Sequence, residues 1–311
     1  MVSKEEYLEY VKKIVEESNN QGNRIILSVW CKIIFCFLAF INVFIAPLSF
    51  IFILYDSRIV GIFILSIATI FVSNYMISKR KKMLKHYRGV PREKLIGYLL
   101  DDYSYYFDDT GRIDSFEFDC SQFSKQYDCY SSSDLLVINI PNDDGSESKI
   151  DLNIADVNTY DISVDEDGSR TTSDVYKGMF GYVKFKKKFK CILTIDAKYK
   201  RRGVKFEKVV LEDINFNKKF KVASNNQVEA RYILTPDMME KISLLDSKIK
   251  GVKIVFVDSY VYIGSEKVNM FELGNYKIND DLSIFENLYD EIRVVLGIVD
   301  ELKNNNKVFK M

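Results

Sequence analysis

Histidine is almost absent from this sequence, which has a single one, His86, among 311 residues. Ser-His-Asp, Cys-His and histidine-metal sites all need an imidazole beside their other groups. In the second half of the chain such a site could form only if His86 reached back to it. We therefore predict no catalytic residues, no metal site and no cofactor.

Cysteine and glycine do not occur in the patterns that carry chemistry. Of the five cysteines, Cys31 and Cys36 lie in or beside an apolar run, which leaves an odd set of three. An odd set without zinc-type spacing is typical neither of a disulfide framework nor of a zinc site. The glycines form neither a P-loop nor a dinucleotide-binding pattern. The sequence therefore excludes the common phosphate-binding motifs.

A net charge is also absent, because 44 Lys and Arg residues balance 44 Asp and Glu residues. The two signs are nevertheless separated along the chain. Residues 101–174 hold nineteen acids and four bases, whereas residues 184–208 hold eleven bases and two acids. The second half of the chain is therefore polarised.

Two long apolar runs, residues 33–54 and 59–77, are separated only by the polar turn 55–58. Each is close to the roughly 20 residues that cross the hydrocarbon core of a bilayer. Buried helices of a large soluble core are the alternative, but such helices normally have a polar stripe, and neither run has one. We therefore predict a two-helix transmembrane hairpin over residues 25–78.

Basic residues follow the second run, and the positive-inside rule places that end in the cytoplasm. An even number of spans returns the N-terminus to the same side. We therefore predict a multi-pass protein of the cell membrane with both termini cytoplasmic. The basic residues are Lys79, Arg80, Lys81, Lys82, Lys85, Arg88, Arg92 and Lys94.

The rest of the chain divides into three predicted segments. Residues 1–24 open with Ser3 and Glu6 at capping-box spacing and predict an amphipathic helix. Residues 79–94 predict a basic juxtamembrane linker. Residues 95–311 predict a cytosolic domain, so the predicted fold class is α+β, with helices packed on an antiparallel sheet after the transmembrane hairpin.

Hairpin signals dominate the predicted domain. Asp-Gly turns at 142–145 and 165–168 lie between apolar strands, and a tight turn near 258–259 joins two more. Thr235 followed by Pro236 is typical of a helix start. Helices are predicted over 92–106, 235–245 and 283–302, and strands over 191–195, 208–211, 219–223 and 229–234.

Glu229, Arg231, Tyr232 and Thr235 are the candidate ligand or partner residues. Alternation along the predicted strand 229–234 places Glu229 and Arg231 on one face, which suits an ion pair or a ligand-facing pair. The alternative is a structural role that fixes this strand and the following helix to their neighbours. Similar cases are Asp128, Tyr130, Lys177 and Gly178.

The basic segment 184–208 interleaves cations with apolar residues. This pattern predicts that the lysines gather on one sheet face, which would turn towards an anionic membrane leaflet. A solvated face and a nucleic-acid contact are the alternatives, and we expect no nucleic-acid partner. The predicted contacts with anionic lipid headgroups are Lys79, Arg80, Lys81, Lys82, Lys186, Lys187, Lys188, Arg201 and Arg202.

A motif in the second half of the chain carries a family resemblance. It is VEARYILTP at 228–236, supported by YKGMFGYVKFKKKFK at 176–190, FVDSYVYIG at 256–264 and the C-terminal YDEIRVVLGIVDELKNN. Together they resemble a family of bacterial two-span membrane proteins known only as a domain of unknown function. The resemblance covers the chain from about residue 122 to its end, and it implies a layout but no activity.

These observations predict a membrane-anchored cytosolic interaction or assembly module without enzymatic activity. Its expected partners are the lipid bilayer and either a second copy or another membrane protein. The alternative is a membrane-tethered enzyme or ligand sensor that uses Glu229 and Arg231. A pocket with convergent carboxylates near these residues would favour the alternative, whereas an exposed apolar patch would favour the interaction module.

Overall fold

The structure, a computed structural model, describes residues 2–25, 92–141, 149–165, 167–266, 270–271, 282–304 and 309. It divides the chain into two compact units, residues 1–8 with 97–311, and residues 9–96. The described helices are α1 Lys4–Ile25, α2 92–99, α3 Ser115–Ser121, α4 Ile214–Lys219, α5 Gln227–Ile233, α6 Pro236–Ile249 and α7 Ser283–Asn304. The described strands are β1 Ser104–Asp108, β2 Cys129–Pro141, β3 Lys149–Val164, β4 Arg170–Lys184, β5 Leu193–Ile195, β6 Glu207–Lys208, β7 Val222–Ser224, β8 Val252–Val257 and β9 Tyr260–Ser265.

The nine strands form one sheet in the order β1-β2-β3-β4-β9-β8-β5-β7-β6, and every pairing is antiparallel. The predicted hairpin pairings are confirmed for β2 with β3, β3 with β4, and β8 with β9. β3 runs without a break through both of its hairpins. The chain therefore has the antiparallel sheet and the helices of an α+β domain.

One face of the sheet is covered by α3 and carries an aromatic core. The Phe118 ring lies edge-on to Tyr176 at 5.0 Å and to Phe180 at 5.1 Å. Gly264 of β9 is a close-approach position beneath this core. A Cβ atom there would lie 2.6 Å from the Tyr176 hydroxyl and 2.8 Å from the Phe123 ring. A larger residue at 264 would therefore displace the aromatic core from the sheet.

The opposite face holds the C-terminal end of α6. Ser265 of β9 is buried, and its Oγ donates to the carbonyls of Ile249 and Lys250 at 3.2 and 2.8 Å. α6 and α7 pack on each other, and Lys241 of α6 forms an ion pair with Glu301 of α7 at 2.8 Å. One face of the sheet is therefore covered by α3 and an aromatic core, and the other by the C-terminal end of α6.

The N-terminal turn of α1 packs on α7. Ser3 and Glu6 form the predicted capping box, since the Ser3 amide donates to Glu6 Oε2 and the Glu6 amide donates to Ser3 Oγ. The Tyr7 and Tyr289 rings lie 5.4 Å apart, and Lys4 Nζ lies 3.0 Å from an Asp290 carboxylate oxygen. In the other unit, Val11 and Ile14 of α1 are buried.

The membrane part of the predicted fold class is corrected. Among the residues that the structure describes, none of the helices combines the length and the apolar content that a bilayer crossing needs. The two-helix transmembrane hairpin and the multi-pass localisation in the cell membrane are not supported. The physical reason is that an apolar run of sufficient length is necessary for a span but does not by itself establish one. Residues 33–77 lie outside the described residues.

Two local predictions are also wrong. The segment 92–106 is not one helix, because α2 ends at residue 99 and β1 begins at Ser104. The predicted strand 229–234 is helix α5. In both places the apolar spacing is compatible with either structure over a short window, and tertiary pairing decides.

α7 buries one carboxyl group, that of Glu291, which is 3% exposed. Burial raises the pKa of Glu291 to about 8; the charges of Asp156 and Asp290 add to this rise, and Lys248 opposes it. Asp156 is itself buried on β3 and accepts the amides of Met270 and Phe271 at 2.9 and 3.2 Å. At neutral pH the folded protein therefore keeps Glu291 protonated.

Glu291→Gln should stabilise the protein at alkaline pH. The pKa of Glu291 is raised from 4.5 to about 8 on folding, so the folded state loses stability as the pH rises between these values. Removing the carboxyl should raise the free energy of unfolding at pH of about 8 by on the order of 3 kcal/mol and change it little near pH 4.5. Urea unfolding across this pH range measures the difference.

Glu286→Gln is the matched control on the same helix, because Glu286 is a partly exposed partner of Lys4 at 3.6 Å. This variant keeps Glu291, so it should keep the loss of stability between pH 4.5 and pH of about 8. Parallel profiles for the wild type and Glu291→Gln would contradict the prediction.

Candidate interaction surface

The motif 228–236 begins with α5, a helix that Asn226 caps. The Asn226 side chain accepts from the amides of Val228 and Glu229 at 3.1 and 3.2 Å. Ala230 and Ile233 are buried at helical spacing. The alternation that predicts a strand arises because Ala230 and Tyr232 are apolar and alternate with Glu229 and Arg231, although Tyr232 is exposed.

Arg231 and Gln227 hold α5 against the edge of the sheet. β6 is the last strand, and Val209 beyond it still donates to the Val222 carbonyl of β7 at 2.9 Å. The carbonyls on either side of Val209 point the other way, because alternate residues of a strand face opposite edges. Gln227 Nε2 donates to the Lys208 carbonyl at 2.7 Å, and Arg231 Nη2 donates to the Val210 carbonyl at 3.1 Å. Arg231 therefore covers an open sheet edge.

Glu229 points to a different partner. Its Oε2 lies 3.9 Å from Lys190 Nζ, which is an ion-pair distance but too long for a hydrogen bond. The same oxygen is buried and accepts no hydrogen bond from the described residues. Arg231 Nη1 donates instead to the Gln227 carbonyl at 2.9 Å. The structure therefore does not bring Glu229 and Arg231 together.

Thr235 is the N-cap of α6, as predicted. Its Oγ1 accepts from the Met238 amide at 3.2 Å, and Pro236 occupies the first turn. This hydroxyl is engaged in the helix start, which is a structural use of the residue.

The thiol near Glu229 belongs to Cys191. Burial raises the pKa of Cys191 to about 11; the charge of Glu229 raises it further, and a hydrogen bond with Ser224 opposes the shift. The thiol is therefore protonated at neutral pH, and a protonated thiol is a weak nucleophile. The surroundings of Glu229 do not provide an activated cysteine.

Three apolar side chains remain exposed on α5 and on the segment that it anchors. Val228 and Tyr232 are four residues apart on one helical face and are 60% and 46% exposed. Val210, whose carbonyl Arg231 binds, is 59% exposed. We call these three residues the α5 surface. The sequence predicts Tyr232 as a candidate partner residue but not Val228 or Val210. For Val228 the only signal in the sequence is an apolar side chain among polar neighbours.

The other candidate residues are mostly structural. Asp128 accepts from the Ile162 amide at 2.8 Å, and Tyr130 donates to the Ile113 carbonyl at 2.9 Å. Burial raises the pKa of Tyr130 to about 12. Lys177 is exposed on β4, and Gly178 pairs with β3.

The predicted lipid-contact lysines do not share a strand face. β4 ends at Lys184, and the next three lysines lie in a loop around the β8–β9 turn, where the Phe185 and Phe189 amides donate to the carbonyls of Ser259 and Asp258. Arg201 reaches the same turn and binds Asp258 at 3.1 Å. We call residues 184–190 and 198–202 the basic end. Lys79, Arg80, Lys81 and Lys82 lie outside the described residues.

Because Glu229 and Arg231 have separate partners, exchanging their charges should not restore stability. Arg231→Glu should cost about 0.5 to 1.5 kcal/mol, since it removes the hydrogen bond to the exposed Val210 carbonyl. The double variant Glu229→Arg with Arg231→Glu should show the sum of the two single effects. Urea unfolding of the four proteins measures the coupling, and recovery in the double variant would contradict this arrangement.

Comparison with known proteins gives two similarities. No curated protein matches the chain. The crystal structure of the mycobacterial trehalose monomycolate transport factor A, TtfA, is similar over 64% of this chain and 92% of that chain, at 8% identity and a TM-score of 0.28. Residues 174–304, which include α5 and the basic end, match the model of a family described as protein of unknown function (DUF3137).

Proposed function

We propose that this chain is a non-enzymatic interaction or assembly module that docks a protein partner on the α5 surface. The observation that carries the proposal is the exposure of Val228 and Tyr232 on one face of a helix, beside the exposed Val210. These residues lie within the part of the chain that matches the family model, and two of them lie in the motif VEARYILTP.

Covering the α5 surface would provide useful binding energy. Full burial of a valine or aromatic side chain contributes about 1.5 to 3 kcal/mol. Tyrosine is enriched among the residues that dominate interfaces, because it offers a large area for few rotatable bonds. A partner that covers Val228 and Tyr232 together would therefore gain enough to offset part of the cost of association.

The α5 surface is also rigid before binding. Asn226 caps the helix, Gln227 and Arg231 fix it to the edge strand, and Ala230 and Ile233 are buried beneath it. A surface that is already ordered loses little conformational entropy when a partner binds. The structural use of Arg231 thus supports the docking role of its neighbours.

A ligand sensor at Glu229 is the second candidate, because Oε2 of Glu229 is buried and accepts no hydrogen bond among the described residues. A small ligand with a donor group could satisfy it beside Lys190. Arg231 is not available for this site, since its guanidinium group already binds two carbonyls. The two candidates therefore depend on different side chains of α5.

The test places a photo-crosslinking residue at position 232 of the full chain in its native cells. We expect one discrete crosslinked protein, identified by mass spectrometry, and its loss when Val228→Asp is added to the same chain. The identified protein is then purified, and its affinity for wild-type and Val228→Asp chains is measured. A loss of at least about tenfold is expected, which corresponds to about 1.4 kcal/mol.

Position 244 is the matched control, because Leu244 of α6 is an exposed apolar residue away from α5. The same crosslinked products from positions 232 and 244 would contradict the proposal. Glu229→Gln should leave the crosslink at 232 intact. If Glu229→Gln abolishes it and Val228→Asp does not, the ligand-sensor function is favoured instead.

A further inference from the structure

The basic end gathers cations from two separate segments at one end of the sheet. Residues 184–190 contain five lysines, and residues 198–202 contain two lysines and two arginines, with no acid in either segment. Lys190 pairs with Glu229, Arg201 pairs with Asp258, and Lys184 lies over the Tyr260 ring at 5.3 Å. Most of the other cations are exposed to solvent and form no ion pair with another described residue: Lys187, Lys188, Lys198, Lys200 and Arg202.

The basic end is held in place by buried contacts. Phe185 and Phe189 are buried, and both pack against Phe309, at 5.3 and 4.9 Å between ring centroids. The Lys200 amide donates to Gln122 Oε1 at 2.9 Å, and Gln122 Nε2 donates to the Lys200 carbonyl at 3.0 Å. The cations are therefore displayed by an ordered scaffold.

An acidic arm projects from the other end of the same strand. Residues 160–174 form the last part of the β3–β4 hairpin, where Val164 pairs with Arg170 and Tyr160 with Asp174. The pairing of β2 with β3 begins only at Tyr160, and that of β9 with β4 only at Met179. Within the described chain, the acidic arm is thus two strands wide, and its described residues from 162 onwards are exposed.

The acidic arm has the opposite charge to the basic end. Its residues include five acids and one base, Arg170. Asp165 and Asp167 hold the turn, because Ser169 Oγ donates to Asp165 at 3.1 Å and the Ser169 amide donates to Asp167 at 3.0 Å. These bonds lower the pKa of Asp167, so its charge persists at mildly acidic pH.

The acidic arm and the basic end cannot meet within one molecule. Both belong to β4, which carries Asp174 near one end and Lys184 at the other. Ten residues of strand separate them, which is roughly 35 Å at the rise of an antiparallel strand. Two complementary surfaces at opposite ends of one rigid element can engage only between two copies.

We propose that this chain assembles head to tail, with the acidic arm of one copy bound to the basic end of the next. The balanced net charge agrees with this partner, since each copy carries both signs in separate places. The arm also presents Ile162 and Val164 as exposed apolar residues that the contact would cover. This proposal goes beyond the α5 surface and does not depend on it.

The first experiment measures the self-association of the full chain by sedimentation velocity at about 0.05 M and about 0.5 M salt. A non-ionic detergent keeps the apolar residues 33–77 from driving association by themselves. We expect oligomers at low salt and an association constant at least about tenfold weaker at high salt, because mobile ions screen exposed charges. A chain that is monomeric at both salt concentrations, or association that does not weaken with salt, would overturn the proposal.

The second experiment mixes two variants that each keep one surface. Separately, each should be monomeric, and together they should form one-to-one dimers and nothing larger. The arm variant carries Asp161→Asn, Asp165→Asn, Asp167→Asn and Asp174→Asn. The basic-end variant carries Lys187→Gln, Lys188→Gln, Lys198→Gln, Lys200→Gln and Arg202→Gln. The control variant, which should assemble like the wild type, carries Lys125→Gln, Lys218→Gln, Glu212→Gln and Glu240→Gln.

A mixture that stays monomeric while both variants remain folded by circular dichroism would show the proposal to be wrong. Anionic vesicles and an RNA duplex are then offered to each variant. If the wild type does not self-associate, and the arm variant binds one of these polyanions while the basic-end variant does not, the basic end binds that polyanion and not a second copy. Val228→Asp should leave self-association unchanged, so failure of this proposal and failure of docking on the α5 surface are distinguishable.

Discussion

The pairing of β4 with β9 is the contact on which the rest of the domain depends. It joins six residues of each strand, from Met179 with Ser265 to Lys184 with Tyr260. β1 to β4 lie on one side of this seam and β5 to β9 on the other. The aromatic core crosses it, because Phe180 of β4 stacks near Tyr262 of β9 at 6.2 Å. Loss of this seam would separate the acidic arm from α5.

The seam also determines where charge can lie. β4 is 15 residues long, but β9 pairs only with its last six residues. The first part of β4 therefore extends beyond β9. A two-stranded ribbon in water is marginally stable unless its ends are fixed, and here the turn hydrogen bonds of Ser169 and the Asp128 carboxylate fix it. Segregated charge along the sequence thereby becomes segregated charge in space. The charge separation that composition predicts along the chain becomes a separation in space because the paired strands have unequal lengths.

The sequence predicted elements that local chemistry specifies. The capping box of Ser3 and Glu6, the Thr235 cap and the β8–β9 hairpin are each determined by neighbouring residues, and each is present. Elements that depend on distant partners were not predictable in the same way. The prediction of a strand at α5 is wrong because Ala230 and the exposed Tyr232 alternate with Glu229 and Arg231 as strand residues would. The edge that Arg231 covers is formed by residues about 20 positions earlier. The transmembrane hairpin is predicted from apolar length and the lack of a polar stripe, and the described helices do not support it.

Tyr232, which contributes to the wrong prediction of a strand, is also one of the residues of the α5 surface. Leaving Val228 and Tyr232 in water forgoes the free energy of their burial, which a partner that covers them would recover. The same reasoning applies to the acidic arm, whose apolar Val164 and unshared strand edges are exposed at the tip of a charged ribbon. On α5 the local sequence pattern and the buried packing disagree. Such a disagreement is expected where a surface serves a partner and not the core.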